Sequence, residues 1–188
     1  MSSRSFVQVA ALAWSYAVIA LVLRSSLVRR PVSHSCGGAP PREILAALFH
    51  EAGFKNILVH DTTNVPSAEE LGWVLEAPVA DSADGAVRGA VADLVTCTRV
   101  RAAIDPAVIQ ALGARIVPPS FNPRALRGPE GPVVITVSGL GVASDSSIAA
   151  IYWDYQCGML CAGGSVSFFA REPGGSWKPW HTHMIWVS

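Results

Sequence analysis

Charged residues are scarce in this chain of 188 residues, where only 15% are Asp, Glu, Lys or Arg and 51% are apolar. Such a composition excludes an intrinsically disordered protein, because disordered chains are rich in charge and poor in apolar surface. The chain also lacks any basic run, and its formal net charge is zero. Since nucleic-acid binding depends on clustered Lys and Arg, we expect no nucleic-acid partner.

The familiar catalytic and cofactor-binding motifs are missing as well. The chain contains no Walker A loop, no Rossmann glycine set, no G-x-S-x-G or H-E-x-x-H motif and no EF-hand loop. The sequence therefore predicts no cofactor and identifies no catalytic residue. An unfamiliar enzyme would lack these motifs too, so the question of catalysis stays open, with a non-catalytic role favoured.

What the chain does have is an uncharged apolar stretch at residues 6–23. A helix of this length rises about 27 Å, close to the roughly 30 Å hydrocarbon core of a bilayer. It is longer than the hydrophobic region of most signal peptides, no small-residue cleavage site follows it directly, and it lacks the polar face of a core helix. We therefore predict a signal anchor or transmembrane segment at residues 1–30. A cleaved signal peptide, which would leave the protein secreted, is the alternative.

The rest of the chain predicts one α+β domain. Residues 31–40 are rich in Pro, Gly and Ser and form a predicted linker, and residues 41–188 form the domain. Apolar residues at helical spacing predict four helices, which begin near Pro41, at a Ser67–Glu70 capping box, near Asp84 and at Asp105. We expect these helices to pack on one face of a sheet.

The sheet is predicted from alternating apolar and aromatic residues in the second half of the chain. Four segments have this pattern, at residues 133–137, 148–155, 166–171 and 177–187. Glycine-rich and Ser-rich turns separate them, so we predict an antiparallel meander of about four strands. A further short strand is expected at residues 57–59.

Two of the four cysteines, Cys157 and Cys161, lie four positions apart in a glycine-rich turn between two of these strands. Glycine allows the chain to bend sharply enough to bring the two sulfur atoms together, so we predict a disulfide. Free thiols and a metal or redox site are the alternatives. The sequence does not decide whether Cys36 and Cys97 pair. Because disulfides persist in oxidising compartments, the pair indicates a domain outside the cytoplasm.

Aromatic side chains are concentrated in the predicted sheet and offer a surface for a ligand or a partner protein. The candidate binding residues are Trp153, Asp154, Tyr155, Trp180 and Trp186. Ordinary packing within the sheet is the simpler alternative. In the last strand, alternation places Trp180, Thr182, Met184 and Trp186 on one face.

The polar candidates among the strands are fewer. Asp154 is the single carboxylate of the central strands, and it either serves a pocket or pairs across the sheet with Arg171 or Lys178. His60 and Asp61 are adjacent on a strand and face opposite sides, so they are not expected to share a proton.

A zinc site is the alternative for the histidines of the last strand. His181 and His183 point the same way and, together with Cys157 and Cys161, supply the residue types of a Cys₂His₂ site. This set defines the alternative function, a small thiol- or zinc-dependent enzyme. Two half-exposed strand histidines with no ligand are the simpler interpretation.

The last third of the chain carries a recurrent pattern in residues 148–153 (IAAIYW), 157–164 (CGMLCAGG), 167–178 (SFFAREPGGSWK) and 185–188 (IWVS). It resembles an uncharacterised bacterial family with an AlvY strand, a C-G-x-L-C-G-x-G turn, a G-x-W-x-V segment and a terminal W-[IV]-S. Residues 43–63 resemble the same family's opening helix and strand. This chain departs from the pattern at Ala162 and Pro179. The resemblance implies an anchored or exported α+β domain and supplies no catalytic residue.

Two features of the sequence give conflicting predictions of the membrane orientation. Arg24, Arg29 and Arg30 follow the apolar stretch and only Arg4 precedes it, so the positive-inside rule alone places the domain in the cytoplasm. The cysteine pair and the resemblance indicate the opposite side, and we follow them. The sequence thus predicts a membrane-tethered domain, periplasmic or on the cell surface. This domain either binds a partner, such as another protein, or has a structural role.

Overall fold

The computed structural model describes residues 38–76, 84–126 and 131–188. These residues form an α+β fold, as predicted. Its elements in chain order are α1 (Arg42–Ala52), β1 (Ile57–His60), α2 (Ala68–Glu76), α3 (Gly85–Cys97), α4 (Pro106–Ala111), β2 (Arg115–Val117), a 3-10 turn (Pro123–Ala125), β3 (Val133–Val142), β4 (Ile148–Gly158), β5 (Cys161–Arg171) and β6 (Trp177–Val187).

The predicted anchor at residues 1–30 and most of the predicted linker lie outside the described residues. In the described part of the chain, no helix is both long enough and apolar enough to cross a bilayer. The membrane segment therefore stays a prediction from the sequence.

The helices begin where their capping residues predict. At the start of α2, the Ser67 amide donates to Glu70 Oε2 at 2.6 Å and the Glu70 amide donates to Ser67 Oγ at 3.1 Å, which is the reciprocal pattern of a capping box. Asp84 and Asp105 each accept a hydrogen bond of 2.8 Å from the backbone amide two residues ahead. These local contacts satisfy amides that have no partner inside the helix.

The sheet has six strands in the order β2-β1-β3-β4-β5-β6. Strands β3 to β6 form the predicted antiparallel meander. Strand β1 is parallel to both β2 and β3, which makes the sheet mixed. The sequence analysis missed β2, since three residues are too few to show an alternating pattern.

Helices cover both faces of the sheet, so the expectation of a single covered face is wrong. On face A, residues such as Ile135 and Ile151 pack in one apolar cluster with α1 and α4. On face B, Ala150 and Tyr152 pack in a second cluster with α2 and α3. The cause is visible in β4, whose first six residues are all buried and therefore need cover on both sides.

Helix α3 approaches face B most closely at Gly141. A Cβ atom at this position would collide with the Ala90 carbonyl oxygen and the Leu94 backbone. Next to it, the Val142 amide donates to Asp93 Oδ2 at 2.8 Å. The helix therefore rests directly on the backbone of β3.

Two register shifts in β6 change which residues share a face. The pairing skips one residue of β6 between Phe168 and Phe169 and another between Gly164 and Ser165. The expectation that Trp180, Thr182, Met184 and Trp186 share one face is therefore wrong. Trp186 pairs with Gly164 on face B, whereas Thr182 hydrogen-bonds Ser167, which lies on face A beside Trp153.

Candidate functional site

Two clefts open on face B and meet at Asp154. The first has a volume of about 280 Å³ and is lined by His60, Thr62, Thr63, Asn64, Arg101, Pro119, Thr136 and Asp154. The second has a volume of about 490 Å³ and is lined by Arg124, Asp154, Tyr155, Gln156, Met159, Ala162, Trp186 and Ser188. The shared carboxyl group makes Asp154 the centre of this candidate site.

The segment that follows β1 forms one wall of the first cleft, at the carboxyl end of a parallel strand. Its backbone is held on both sides: the Thr63 amide donates to the Ala102 carbonyl at 2.8 Å, and the Asn64 amide donates to the Val137 carbonyl at 2.6 Å. The Thr63 hydroxyl also accepts from the Ala102 amide at 2.8 Å. Ligands bind preferentially at this end of parallel strands, because the loops there present polar groups on a rigid base.

Asp154 lies in the middle of β4, opposite Thr136 on β3 and Gly164 on β5. Burial raises its pKa to about 7, because the charged carboxylate loses water. Hydrogen bonds from the Thr136 and Asn64 side chains lower this pKa, and the nearby Glu70 carboxylate raises it. Asp154 is therefore a carboxyl group at the meeting point of two open clefts, and burial makes its charged form less stable than it would be in water.

A chain of hydrogen bonds borders Asp154 on the side of β6. The Trp186 indole Nε1 donates to the Tyr152 hydroxyl at 3.0 Å, and that hydroxyl donates to Glu70 Oε1 at 2.8 Å. Burial raises the pKa of Tyr152 above its ordinary value, so the phenol stays protonated. The chain joins β6, β4 and the start of α2.

Gly164 makes this chain possible. The Trp186 ring crosses directly over Gly164, and a Cβ atom there would collide with the indole and lie 2.6 Å from the Tyr152 hydroxyl. Without a side chain at 164, the indole reaches across β5 to β4 and forms a wall of the second cleft.

Tyr152→Phe is expected to lower the free energy of unfolding by about 1–2 kcal/mol, because the Trp186 Nε1 donor and one Glu70 oxygen lose their partner. Urea denaturation measures the change. Tyr155→Phe is the matched control, because the Tyr155 ring packs at 5.2 Å from that of Phe54 and no described residue hydrogen-bonds its hydroxyl. Equal effects of the two substitutions would contradict the role of the hydrogen-bond chain.

Each cleft carries one exposed arginine, Arg101 in the first and Arg124 in the second. Neither forms an ion pair within the described residues, where the salt bridge is Lys178–Glu172 at 3.8 Å. Both guanidinium groups are therefore available to a ligand.

The alternative in which Asp154 pairs with Arg171 or Lys178 across the sheet is wrong. Lys178 faces Glu172, and the Arg171 guanidinium lies 5.5 Å from the centre of the Trp177 ring. Register explains this, because Arg171 and Lys178 pair with residues at the opposite end of β5 and β6 from Gly164, which faces Asp154.

Comparison with known proteins finds no matching family model, no similar curated protein and no similar solved structure. The function is therefore inferred from the site itself.

The predicted disulfide between Cys157 and Cys161 is present, with Cα atoms 5.2 Å apart. It closes the hairpin between β4 and β5, whose tip carries Met159 and Leu160, 77% and 89% exposed. None of the three described cysteines is a free thiol. Cys36 lies outside the described residues.

Replacing both Cys157 and Cys161 by Ala is expected to cost about 1–2 kcal/mol of stability, at the low end for disulfides because the closed loop is short. The direct measurement is mass spectrometry of the unreduced peptide, which should be lighter by two hydrogens than the reduced one. Alkylation of either thiol without a reductant would contradict the disulfide. Serine at both positions is a suitable second variant, since its size is close to that of cysteine.

The predicted zinc ligands are not brought together. Cys157 and Cys161 are bonded to each other, while His183 pairs with Val166, five residues along β5 from Cys161. At about 3.3 Å per residue this is a separation of roughly 17 Å. Within the part of the chain that the structure describes, no group of three or more His, Cys, Asp or Glu is arranged to hold a metal ion.

The predicted binding residues separate into two groups. Asp154, Tyr155 and Trp186 line the second cleft. Trp153 is buried on face A, where its Nε1 donates to Ser167 Oγ at 2.9 Å. Trp180 is 51% exposed and lies edge-on to Phe168 on the outer strand.

Several residues of the site were missed by sequence reasoning. They are Glu70, Tyr152, Asn64, Thr136, Arg101 and Arg124. Glu70 was recognised only as a capping residue, and the capping box explains one of its two oxygens. No local pattern identifies the others, because residues distant in the chain bring them together.

Proposed function

We propose that this protein is a membrane-tethered, extracytoplasmic domain that binds a small polar ligand in the two clefts around Asp154. The observation that carries the proposal is a carboxyl group placed at the junction of two open clefts that forms no ion pair within the described residues.

The electrostatics support a binding role. Clefts that hold a group with a strongly shifted pKa are the default candidates for ligand sites. The raised pKa of Asp154, about 7, means that a cationic or hydrogen-bond-donating ligand would recover free energy that the folded protein gives up. The two unpaired arginines and the Thr62 and Thr63 hydroxyls supply further polar contacts.

The disulfide supports the compartment. A short disulfide on an exposed hairpin is reduced in the cytoplasm and persists outside it. The uncharged stretch at residues 6–23 supplies the tether that this location needs.

Two experiments test the proposal. Alkaline phosphatase fused after Ser188, a reporter active only outside the cytoplasm, should be active, and an inactive full-length fusion would contradict the location. A fragment library followed by NMR should give shift changes at residues of the two clefts, and Asp154→Asn should remove part of the binders. Shift changes confined to other surfaces would contradict the proposed site.

A further inference from the structure

The first cleft combines a cation and a carboxyl group that form no ion pair with each other or with any other described residue. Arg101 is exposed at its edge and Asp154 lies where it meets the second cleft. A ligand with only one charge would leave one of these groups without a counter-ion. A ligand with an ammonium and a carboxylate group would satisfy both, because a carboxylate accepts two parallel hydrogen bonds from a guanidinium group.

The neutral groups of the first cleft fit the same two ligand groups. Thr62 and Thr63 line the same cleft, Thr63 hydrogen-bonds Ala102, the residue after Arg101, and Thr hydroxyls donate to carboxylates. The Asn64 and Thr136 side chains already hydrogen-bond Asp154 and fix the position of its carboxyl group. The first cleft therefore resembles a receptor for a zwitterionic head group.

The second cleft continues from Asp154 and has a different character. Met159 and the Trp186 indole supply apolar wall, and Met adapts to varied apolar partners. Arg124 also lines this cleft, and its positive charge disfavours a basic ligand group there while its flat guanidinium packs on apolar ones. Of the side chains that could enter the second cleft, a basic one is disfavoured by Arg124, and an apolar one packs on Met159 and Trp186.

The sizes agree with a small ligand. The second cleft, with about 490 Å³, lies in the lower half of the range of about 300–1,000 Å³ for small-molecule sites, and the first, with about 280 Å³, lies just below that range. One cleft takes the head group and the other takes a single side chain, with the ammonium group at the shared carboxylate.

We propose that the ligand is an α-amino acid with an apolar side chain, its carboxylate bound by Arg101, its ammonium group by Asp154 and its side chain held between Met159 and Trp186. This inference rests on the proposed function, since it names the ligand class of the same clefts.

Calorimetry with purified protein and three probes, L-leucine, L-methionine and L-phenylalanine, tests the inference. At least one should bind. The matched analogues of the best probe should bind at least tenfold more weakly: the N-acetyl derivative lacks the ammonium charge, the amine lacks the carboxylate, and L-lysine carries a basic side chain. Equal binding of the N-acetyl derivative, or binding of none of the three probes, would overturn the inference.

Variants of the protein assign the contacts. Asp154→Asn and Arg101→Ala should each weaken binding of the best probe at least tenfold, and Met159→Ser should weaken it while leaving the weaker binding of glycine unchanged. Arg42→Ala is the control, because Arg42 is an exposed arginine of α1, outside both clefts, and should bind normally. The assignment would be contradicted if Arg42→Ala alone lost binding, or if Asp154→Asn, Arg101→Ala and Met159→Ser all bound the probe normally.

The two proposals fail in different ways. If other fragments bind at the clefts and no amino acid does, the amino-acid inference is wrong and the binding domain remains. If nothing binds at the clefts, both are wrong. Thermal denaturation of each variant verifies that it is folded before binding is measured.

Discussion

Gly141→Ala should destabilise the domain by at least about 3 kcal/mol, at the upper end for an overpacked site. The added methyl group would meet the Ala90 carbonyl oxygen and the Leu94 backbone of α3. These are backbone atoms of a regular helix, so no side-chain rotation relieves the collision. Helix α3 would have to move away from face B, and its buried residues Val87, Val91 and Leu94 would lose contacts.

Urea denaturation of the purified variant measures this effect. Gly72→Ala is the matched control, because Gly72 lies inside α2 with no atom within 4 Å of the added methyl group. There the substitution should raise stability by roughly 0.5–1 kcal/mol, because alanine favours the helix over glycine. Equal stability of the two variants would contradict the close contact between α3 and β3 at Gly141.

Asp154→Asn is expected to stabilise the folded domain at neutral and alkaline pH. The pKa of Asp154 is raised from 3.8 to about 7, so the folded state binds the proton more tightly than the unfolded state. Each unit of difference corresponds to about 1.4 kcal/mol, which gives a cost on the order of 4 kcal/mol for ionising the buried group. Asparagine has nearly the same shape and never ionises.

The pH dependence has a defined sign. Below about pH 3 the carboxyl group is protonated in both states and the two proteins should have similar stability. Between the unfolded value of 3.8 and the folded value of about 7, the wild-type protein loses stability as pH rises. Above about pH 8 the difference between variant and wild type should be nearly constant.

Urea denaturation of both proteins at a series of pH values between 3 and 9 measures this difference. Glu70 and Tyr152 are the ionisable groups nearest Asp154 in its electrostatic surroundings, and both are retained in the variant. The opposite result would be an Asn variant that is less stable than wild type at pH 8, with a stability difference that does not change as pH falls. It would mean that the ionised carboxylate stabilises the fold.

The parts of the fold that sequence predicted are those determined by local contacts. Ser67, Asp84 and Asp105 mark helix starts because each hydrogen-bonds an amide two or three residues away. The meander was predictable because its strands are long and their turns short. The Cys157–Cys161 disulfide was predictable for the same reason, since four positions separate the two residues.

The parts that sequence could not predict depend on distant residues. The bulges in β6 reverse the expected face of Trp186, and without that reversal the indole would not reach Tyr152. The second covered face could have been inferred from the continuous apolar run at the start of β4. The surroundings of Asp154 could not, because Asn64, Glu70 and Thr136 come from three other elements or loops.

The central claim is that Asp154 is a buried, uncompensated carboxyl group at the junction of two clefts. Its titration, followed by the ¹³C chemical shift of the side-chain carboxyl in labelled protein, tests this most directly. We predict a midpoint near pH 7, because burial raises the pKa of this carboxyl group to about 7. A midpoint near the ordinary value of 3.8 would contradict the claim, because the carboxylate would then be well solvated or paired with a cation.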